Sequence, residues 1–302
     1  MEALILADRL GHELWPLTDK RPVSLLPIAN KPVLQLAIEE LFQLGVRKAA
    51  IVSSQHAPLV STYFGSGHAF GMELNHIGVA VPCSVEHGIQ LAGIDPASAW
   101  IAVRGDMLRP FGFLEEALAR GEAAARSSVF TVMGIALPAP KTEVAGDIRW
   151  QAIRAFTPLA FCHLESLPAY HQANMMALRG EVPNFIFPGR PTEEHIAICQ
   201  QSVVRAPTFT RRTIIGRNCL VDRNVFLGEG AIIGDGSIVD NGASIKESIV
   251  LPGSYVGAME VEHSIVDGSR IYCCRSGAIM DLSGSSLAGL NISDPHVEFA
   301  MA

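Results

Sequence analysis

From Arg212 to Glu247 the chain repeats itself every six residues: RTIIGR, NCLVDR, NVFLGE, GAIIGD, GSIVDN, GASIKE. The third place of each hexad holds Ile214, Leu220, Phe226, Ile232, Ile238 and Ser244. The fourth holds Ile215, Val221, Leu227, Ile233, Val239 and Ile245, and a Gly or Asp follows in five of the six. An α-helix brings apolar residues round every three or four positions, so it cannot generate a pair every six. A parallel β-helix can. Each hexad supplies one short strand of a triangular coil, the regular apolar place fills the interior, and Gly or polar residues turn the corners. The pattern loosens after Lys246 but persists in Ser248-Ile249-Val250, Ser264-Ile265-Val266 and Ser269-Arg270-Ile271. The expectation is a left-handed parallel β-helix of roughly four coils from about 207 to 282. An irregular tail, Ser283 to Ala302, is expected to cap or pack on its end.

Before residue 205 the text is different. Glu2–Ala7, Ala49–Ser53 and Ala99–Val103 read as buried strands, and Val129–Ile135 is strand-like. Val33–Leu44 carries apolar residues at helical spacing and stops at Gly45, while Gly112–Ala125 is a helical stretch rich in Glu, Leu and Ala. Strands alternating with helices predict a mostly parallel, Rossmann-like α/β domain covered on both faces. The expected division is 1–205 for that domain and 206–302 for the β-helix and its tail.

Composition excludes several classes. A net charge of −7 and a pI near 5.8 do not suit a general nucleic-acid binder or a polybasic membrane anchor. No apolar run approaches the roughly 18 residues of a spanning helix, and Met1–Asp8 lacks the basic start of a signal peptide. The six cysteines include no C-x-x-C pair, so neither zinc nor a disulfide framework is expected, and a reducing cytoplasm is the expected setting.

The stretch Ala3-Leu-Ile-Leu-Ala7-Asp8-Arg9-Leu-Gly11-His-Glu13-Leu-Trp15-Pro16-Leu-Thr18, followed by Arg21-Pro22-Val23-Ser24-Leu-Leu-Pro27-Ile-Ala-Asn30-Lys31-Pro32, resembles the start of the sugar-phosphate nucleotidyltransferases. That family makes NDP-sugars from an NTP and a sugar 1-phosphate, and its mannose-1-phosphate guanylyltransferase-like branch carries such a β-helix. The resemblance continues at Tyr63–Gly71 and at Val103-Arg104-Gly105-Asp106. It implies a nucleotide site from Ala7, Asp8, Arg9, Gly11, Ser84 and Gly105, with Asp106 as a magnesium ligand if the chain is active.

The sequence departs from the family at the reacting positions. The paired glycines of the phosphate loop are Asp8 and Arg9 here, leaving Gly11. The family arginine aligns with Glu13, and the family lysine with Val23. The base-pocket segment aligns with Ser84-Val85-Glu86-His87. The sugar-binding segment has no counterpart before Thr157-Pro158, and the second magnesium carboxylate aligns with Phe187. Replacing Arg by Glu moves the local charge by two units, and one unit at about 4 Å is worth ~4 kcal/mol at an effective dielectric near 20. Asp8, Glu13 and Asp106 are expected to converge on one acidic mouth with Arg9 the only nearby cation.

Three functions follow from this text. The first is a retired nucleotidyltransferase acting as a regulatory or scaffolding subunit in sugar-nucleotide or polysaccharide metabolism. Its partners would be a nucleotide or sugar nucleotide, further copies of itself, or an active homologue. The second is an active NDP-sugar pyrophosphorylase using magnesium. The third is a hexapeptide-repeat acyltransferase, for which His263 is the candidate base, against a plain corner histidine. The coils from Ile214 to Ile265 are expected in or near a subunit contact. Lys31 reads as a solvated charge, and Trp15 either as a plug in an emptied phosphate pocket or as a residue packed on the sheet.

Overall fold

In a computed structural model of the chain, residues 1–54, 56–115, 135–136, 162–191 and 196–282 are described. They form two compact units. One comprises Met1–Leu26, Pro32–Ser166 and Val182–Phe185; the other comprises Pro27–Lys31, Leu167–Glu181 and Ile186–Ala302.

The first unit is built on a five-stranded sheet. Its strands are β1 (Glu2–Ala7), β2 (Lys48–Ser53), β3 (Glu73–Gly78), β4 (Trp100–Arg104) and β5 (Ile135–Ala136), in the order β3-β2-β1-β4-β5. All neighbours run parallel except β4 and β5. β1 shows why both faces are covered. Its alternate residues Ala3, Ile5 and Ala7 join a core with Leu34, Ile38 and Leu41 of helix α1 (Val33–Gln43) and Val60 and Phe64 of α2 (Ala57–Phe64). Its other residues, Leu4 and Leu6, pack with Val85 and Ile89 of α3 (Val85–Ala92) on the opposite side. A strand buried on both faces has no polar side, which explains the unbroken apolar run ALILA. Of the helix expected over Gly112–Ala125, Phe113–Glu115 are helical and the rest lies outside the described residues; of Val129–Ile135, Ile135 alone is described, as the first residue of β5. Thr157-Pro158 and the tail from Ser283 also lie outside the described residues.

The second unit holds the repeat. Three ladders of short parallel strands stack coil on coil. One ladder joins Val203–Val204, Leu220–Val221, Ile238–Val239 and Tyr255–Val256. A second joins Thr208–Phe209, Phe226–Leu227, Ser244–Lys246 and Glu260–Glu262. The third joins Ile196–Ile198, Thr213–Ile215, Ala231–Ile233, Ser248–Val250 and Ser264–Asp267. The fourth place of the hexad points inward: Ile215, Val221, Leu227, Ile233, Val239 and Ile245 are all buried in one core. The first place adopts the left-handed conformation in every hexad from Arg212 to Gly242, through Asn218, Asn224, Gly230 and Gly236. Gly and Asn enter that region at least cost, so they recur there.

Coils begin at Ile196, upstream of the stretch where the repeat is plain in the sequence. At the far end, Ser269-Arg270-Ile271 does not continue the parallel stack. Arg270–Cys273 pairs antiparallel with Ser264–Asp267, and Ile279–Asp281 antiparallel with Arg270–Cys273, closing the ladder with a hairpin. Helix α4 (Leu167–Leu178) packs on the strand Ser248–Val250 of the same unit. Lys31, expected to be solvated, is buried. Among the described residues, no helix is long and apolar enough to cross a membrane.

Candidate functional site

In an open α/β sheet the strand order reverses direction at one point, and ligands gather at the carboxyl ends of the two strands that flank it. Here those strands are β1 and β4. Asp8 follows the last residue of β1, Arg104 is the last residue of β4, and Asp106 stands two residues further on. Asp8 and Asp106 are both buried.

Arg104 fills the space between them. Its Nε donates to Asp106 Oδ1 at 2.9 Å and its Nη2 to Asp106 Oδ2 at 2.5 Å, a two-pronged pair. The same Nη2 lies 3.7 Å from Asp8 Oδ1. Burial opposes the charge on Arg104, but Asp106 and then Asp8 hold the guanidinium more firmly protonated than usual. Asp8 is finished by its backbone surroundings: the Cys83 N–H donates to Oδ2 at 2.7 Å, and Ser54 Oγ donates to the Asp8 carbonyl at 2.6 Å. Burial pushes the Asp8 carboxyl above its ordinary range, against the Cys83 bond and Arg104. Burial and the neighbouring Asp8 push the Cys83 thiol up to about 11, so it is no nucleophile.

Behind this pair sits a second one. Arg109 Nη1 donates to the Arg104 carbonyl at 2.6 Å, and Arg109 Nε lies 3.9 Å from Glu40 Oε2. Glu40 Oε1 in turn accepts from the Leu114 N–H at 2.9 Å. The buried carboxylate on α1 thus braces the end of β4 from below.

The remaining sequence-derived positions have other employments. Arg9 pairs with Glu13 at 3.2 Å and donates to the backbone carbonyls of His163 and Leu164. The expectation that Arg9 is the only cation at the mouth is therefore corrected: Arg104 is the cation between the aspartates, and Glu13 faces Arg9. Gly11 is left-handed, and a Cβ there would lie 2.4 Å from Val23 Cγ2 and 2.9 Å from Thr18 Cγ2. Its turn and packing account for the glycine. Val23 itself is core. Ser84 caps α3, accepting from the His87 N–H at 3.2 Å. Ala7 is buried in β1, and a Cβ on Gly105 would meet Leu34 and Ile5 within 2.8 Å. Trp15 does neither of the things expected of it: it is exposed, and its indole N–H donates to Asp19 at 3.0 Å. Phe187, at the position of the second metal carboxylate, is half-buried and offers no ligand atom. With both Asp106 oxygens on Arg104 and an Asp8 oxygen on a backbone amide, the set does not fit a magnesium ion, which needs carboxylates free to enter its shell.

Arg104 is the residue that sequence reading passes over. It is an ordinary end-of-strand arginine by pattern, and its role appears only when β1 and β4 are neighbours. In the second unit, His263 stands at a coil corner in the left-handed conformation, its Nε2 2.7 Å from Glu247 Oε2 and 3.6 Å from Glu262 Oε1, with Arg275 on the same nitrogen. A ring nitrogen so occupied is a corner contact and not a poised base.

Residues 2–104 match the nucleotidyl transferase family. Over 92 residues the chain is 32% identical to the glucose-1-phosphate thymidylyltransferase of Streptomyces griseus, covering 30% of this chain and 26% of that one. It is 30% identical over 88 residues to a low-salt glycan biosynthesis nucleotidyltransferase of Haloferax volcanii, covering 29% and 25%. It is 34% identical over 74 residues to the UTP–glucose-1-phosphate uridylyltransferase of Synechocystis, covering 24% and 19%. The matched stretch thus spans about a quarter or less of the length of these relatives.

Proposed function

We propose that this chain, whose residues 2–104 match the nucleotidyl transferase family and resemble the sugar-phosphate enzymes among its relatives, is a catalytically retired sugar-phosphate nucleotidyltransferase. It would serve as a regulatory or scaffolding subunit in sugar-nucleotide metabolism, holding a nucleotide or sugar nucleotide weakly or not at all. Two of the relatives are named for joining a nucleotide to glucose 1-phosphate, and that reaction depends on positive charge around the departing pyrophosphate. The observation that carries the reading is the two-pronged contact of Arg104 with Asp106. It uses the carboxylate that would serve a divalent ion and spends the guanidinium that would serve a phosphate.

The other charges point the same way. Arg9 is neutralised by Glu13. The position where the family resemblance places a lysine is Val23, in the core beside Gly11. Summed over Asp8, Asp106, Glu13, Arg9 and Arg104, the site is left with one net negative charge, which repels a triphosphate.

The test is pyrophosphate release from each of the common NTPs with glucose 1-phosphate and mannose 1-phosphate, with and without magnesium, alongside calorimetric titration of the same nucleotides. The expected result is no turnover. Turnover at about 1 per second, an ordinary enzyme rate, establishes the active pyrophosphorylase in its place.

A further inference from the structure

Helix α4 carries two neighbouring stripes that hold different things. Tyr170 and Asn174, one turn apart, hold the turn at Ala29-Asn30. Tyr170 OH donates to the Pro27 carbonyl at 2.6 Å, and Asn174 Oδ1 accepts from the Ala29 N–H at 2.8 Å. The next stripe is His171, Met175 and Arg179, and it lies on the corners of the β-helix. His171 Nε2 meets the Glu247 carbonyl at 2.6 Å, and Arg179 Nη2 donates to Glu247 Oε1 at 3.1 Å. Between them, a Cβ on Gly230 would lie 3.1 Å from Met175 Sδ. The helix is a clasp with the turn on one side and the corner on the other.

The turn needs the clasp. It joins the paired strands Pro27–Ile28 and Lys31–Pro32 through two left-handed residues, Ala29 at φ 45° and Asn30 at φ 66°. Two-residue hairpins ask for that backbone, and asparagine tolerates it, but alanine is strained there. Ala29 is nonetheless fully buried, and Asn30 Nδ2 donates to the Ile233 carbonyl at 2.7 Å. A strained turn held by bonds from outside itself opens when those bonds leave.

We propose that α4 is an acid-released latch on the Pro27–Lys31 turn. The proposal is independent of the reading of the N-terminal site. Its trigger is charge crowding at the corner. A carbonyl only accepts, so His171 Nε2 carries the ring proton at neutral pH and Nδ1 takes the second one. The ring of His263 stands 6.2 Å away, centre to centre. Among the described residues, the charged groups facing the two rings are Arg179, Lys246 and Arg275, with the carboxylates of Glu247 and Glu262. Arg179 already holds Glu247 and Lys246 already holds Glu262, each at 3.1 Å, so neither carboxylate is a spare partner. Protonating both rings turns three cations against two carboxylates into five against two, with His171 buried. Lifting α4 off the corner returns His171 to water and parts the rings, and Tyr170 and Asn174 leave the turn with it. Burial holds both rings below their ordinary 6.5, so the open form binds protons more tightly. The latch is therefore closed above 6.5 and opens as pH falls through the folded values.

Hydrogen exchange of the full chain from about pH 7.5 to about pH 5.5, corrected for the intrinsic pH dependence of exchange, reads the latch directly. The Ala29 amide is the reporter, because its bond is to Asn174. Its protection is expected to fall about tenfold over that range. The Leu220 and Ile238 amides, bonded within a β-helix ladder at 3.0 Å, are expected to keep theirs. His171→Gln retains an N–H for the Glu247 carbonyl and cannot titrate, so it is expected to hold Ala29 protection constant. His263→Gln removes one of the two charges and is expected to reduce the fall to about threefold. Circular dichroism checks the fold of each variant, and the wild-type series with His263→Gln carries the test if His171→Gln unfolds. Ala29 protection that does not change across the range overturns the proposal. So does a fall that persists in folded His171→Gln, or one that Leu220 and Ile238 share equally.

Discussion

Arg104 and Asp106 lie two residues apart at the end of one strand, and the arginine turns back to grip both oxygens of the aspartate at 2.9 and 2.5 Å. The contact is local in sequence, yet it also closes on Asp8 from the neighbouring strand. An internal guanidinium thus stands where two carboxylates would otherwise call for an external cation.

Removing that guanidinium strands two buried carboxylates. Arg104→Gln is expected to cost about 3 kcal/mol in chemical denaturation, the range for a buried pair that loses one partner. It is also expected to make stability respond to magnesium, because the freed carboxylates then offer ligands. Thermal melts with millimolar magnesium should leave the wild type unchanged and raise the variant. A magnesium-dependent melt of the wild type would show that the aspartates are already open to the ion.

The two positions that depart most from the family pattern are predicted to behave differently. Glu13→Arg removes the partner of Arg9 at the half-buried surface, and is expected to raise triphosphate affinity about tenfold at low salt. Val23→Lys places an ammonium in the core against Gly11, so it is expected to destabilise the fold by several kcal/mol and bind nothing better. Calorimetric titration of the first and denaturation of the second check this. A well-folded Val23→Lys protein with improved binding contradicts the packing seen around Gly11.

Glycines of the repeat divide by what they do. A Cβ on Gly234 would stand 2.5 Å from Pro252 N and 2.7 Å from Val250 O of the next coil, whereas Gly236 is left-handed with open space beside it. Gly234→Ala is expected to cost about 3 kcal/mol through overpacking against backbone. Gly236→Asn is expected to cost a few tenths, because Asn tolerates that backbone. Equal losses in a denaturation series would refute the distinction.

Two histidines give the second unit an acid-sensitive stability. Burial holds His171 below its ordinary 6.5, against the Glu247 carbonyl that its ring contacts. Burial likewise lowers His263, with Glu247 and Glu262 opposing and Arg275 and Lys246 assisting. A group whose folded value is depressed contributes stability that is present above 6.5 and lost as pH falls through the folded value. Stability of the wild type is therefore expected to fall with acidification below pH 6.5, and His263→Gln to flatten the slope. Asp8 and Glu40, both raised by burial, work in the opposite sense and nearer their own range. A slope unchanged by the substitution would assign the effect elsewhere.

The repeat was legible because its period belongs to local sequence: the interior place is always apolar, and the left-handed corners from Asn218 to Gly242 carry Asn or Gly. The first coil was less legible because its corners carry Gln201 and Ala206, which do not advertise positive φ. The closing hairpin reads in the sequence as another coil because Ser269-Arg270-Ile271 has the right composition, and strand direction leaves no mark in three residues. At the candidate site, Asp8 and Asp106 were visible as carboxylates after strands. Arg104 was not, since its meaning depends on which strand lies beside β4. Lys31 looked solvated because a buried lysine has no signature until its surroundings are known.

The antiparallel hairpin at the end of the stack also sets a limit on growth. A parallel ladder ends in a row of amides and carbonyls that would template another molecule's coil, and so on without stop. Among the described residues the three ladders end unevenly: two stop at Tyr255–Val256 and Glu260–Glu262, while the third runs on through Arg270–Cys273 and Ile279–Asp281, so an incoming triangular coil cannot pair on all three faces at once. A stack of nearly identical strands is thereby kept from offering a flat template for polymer growth at that end.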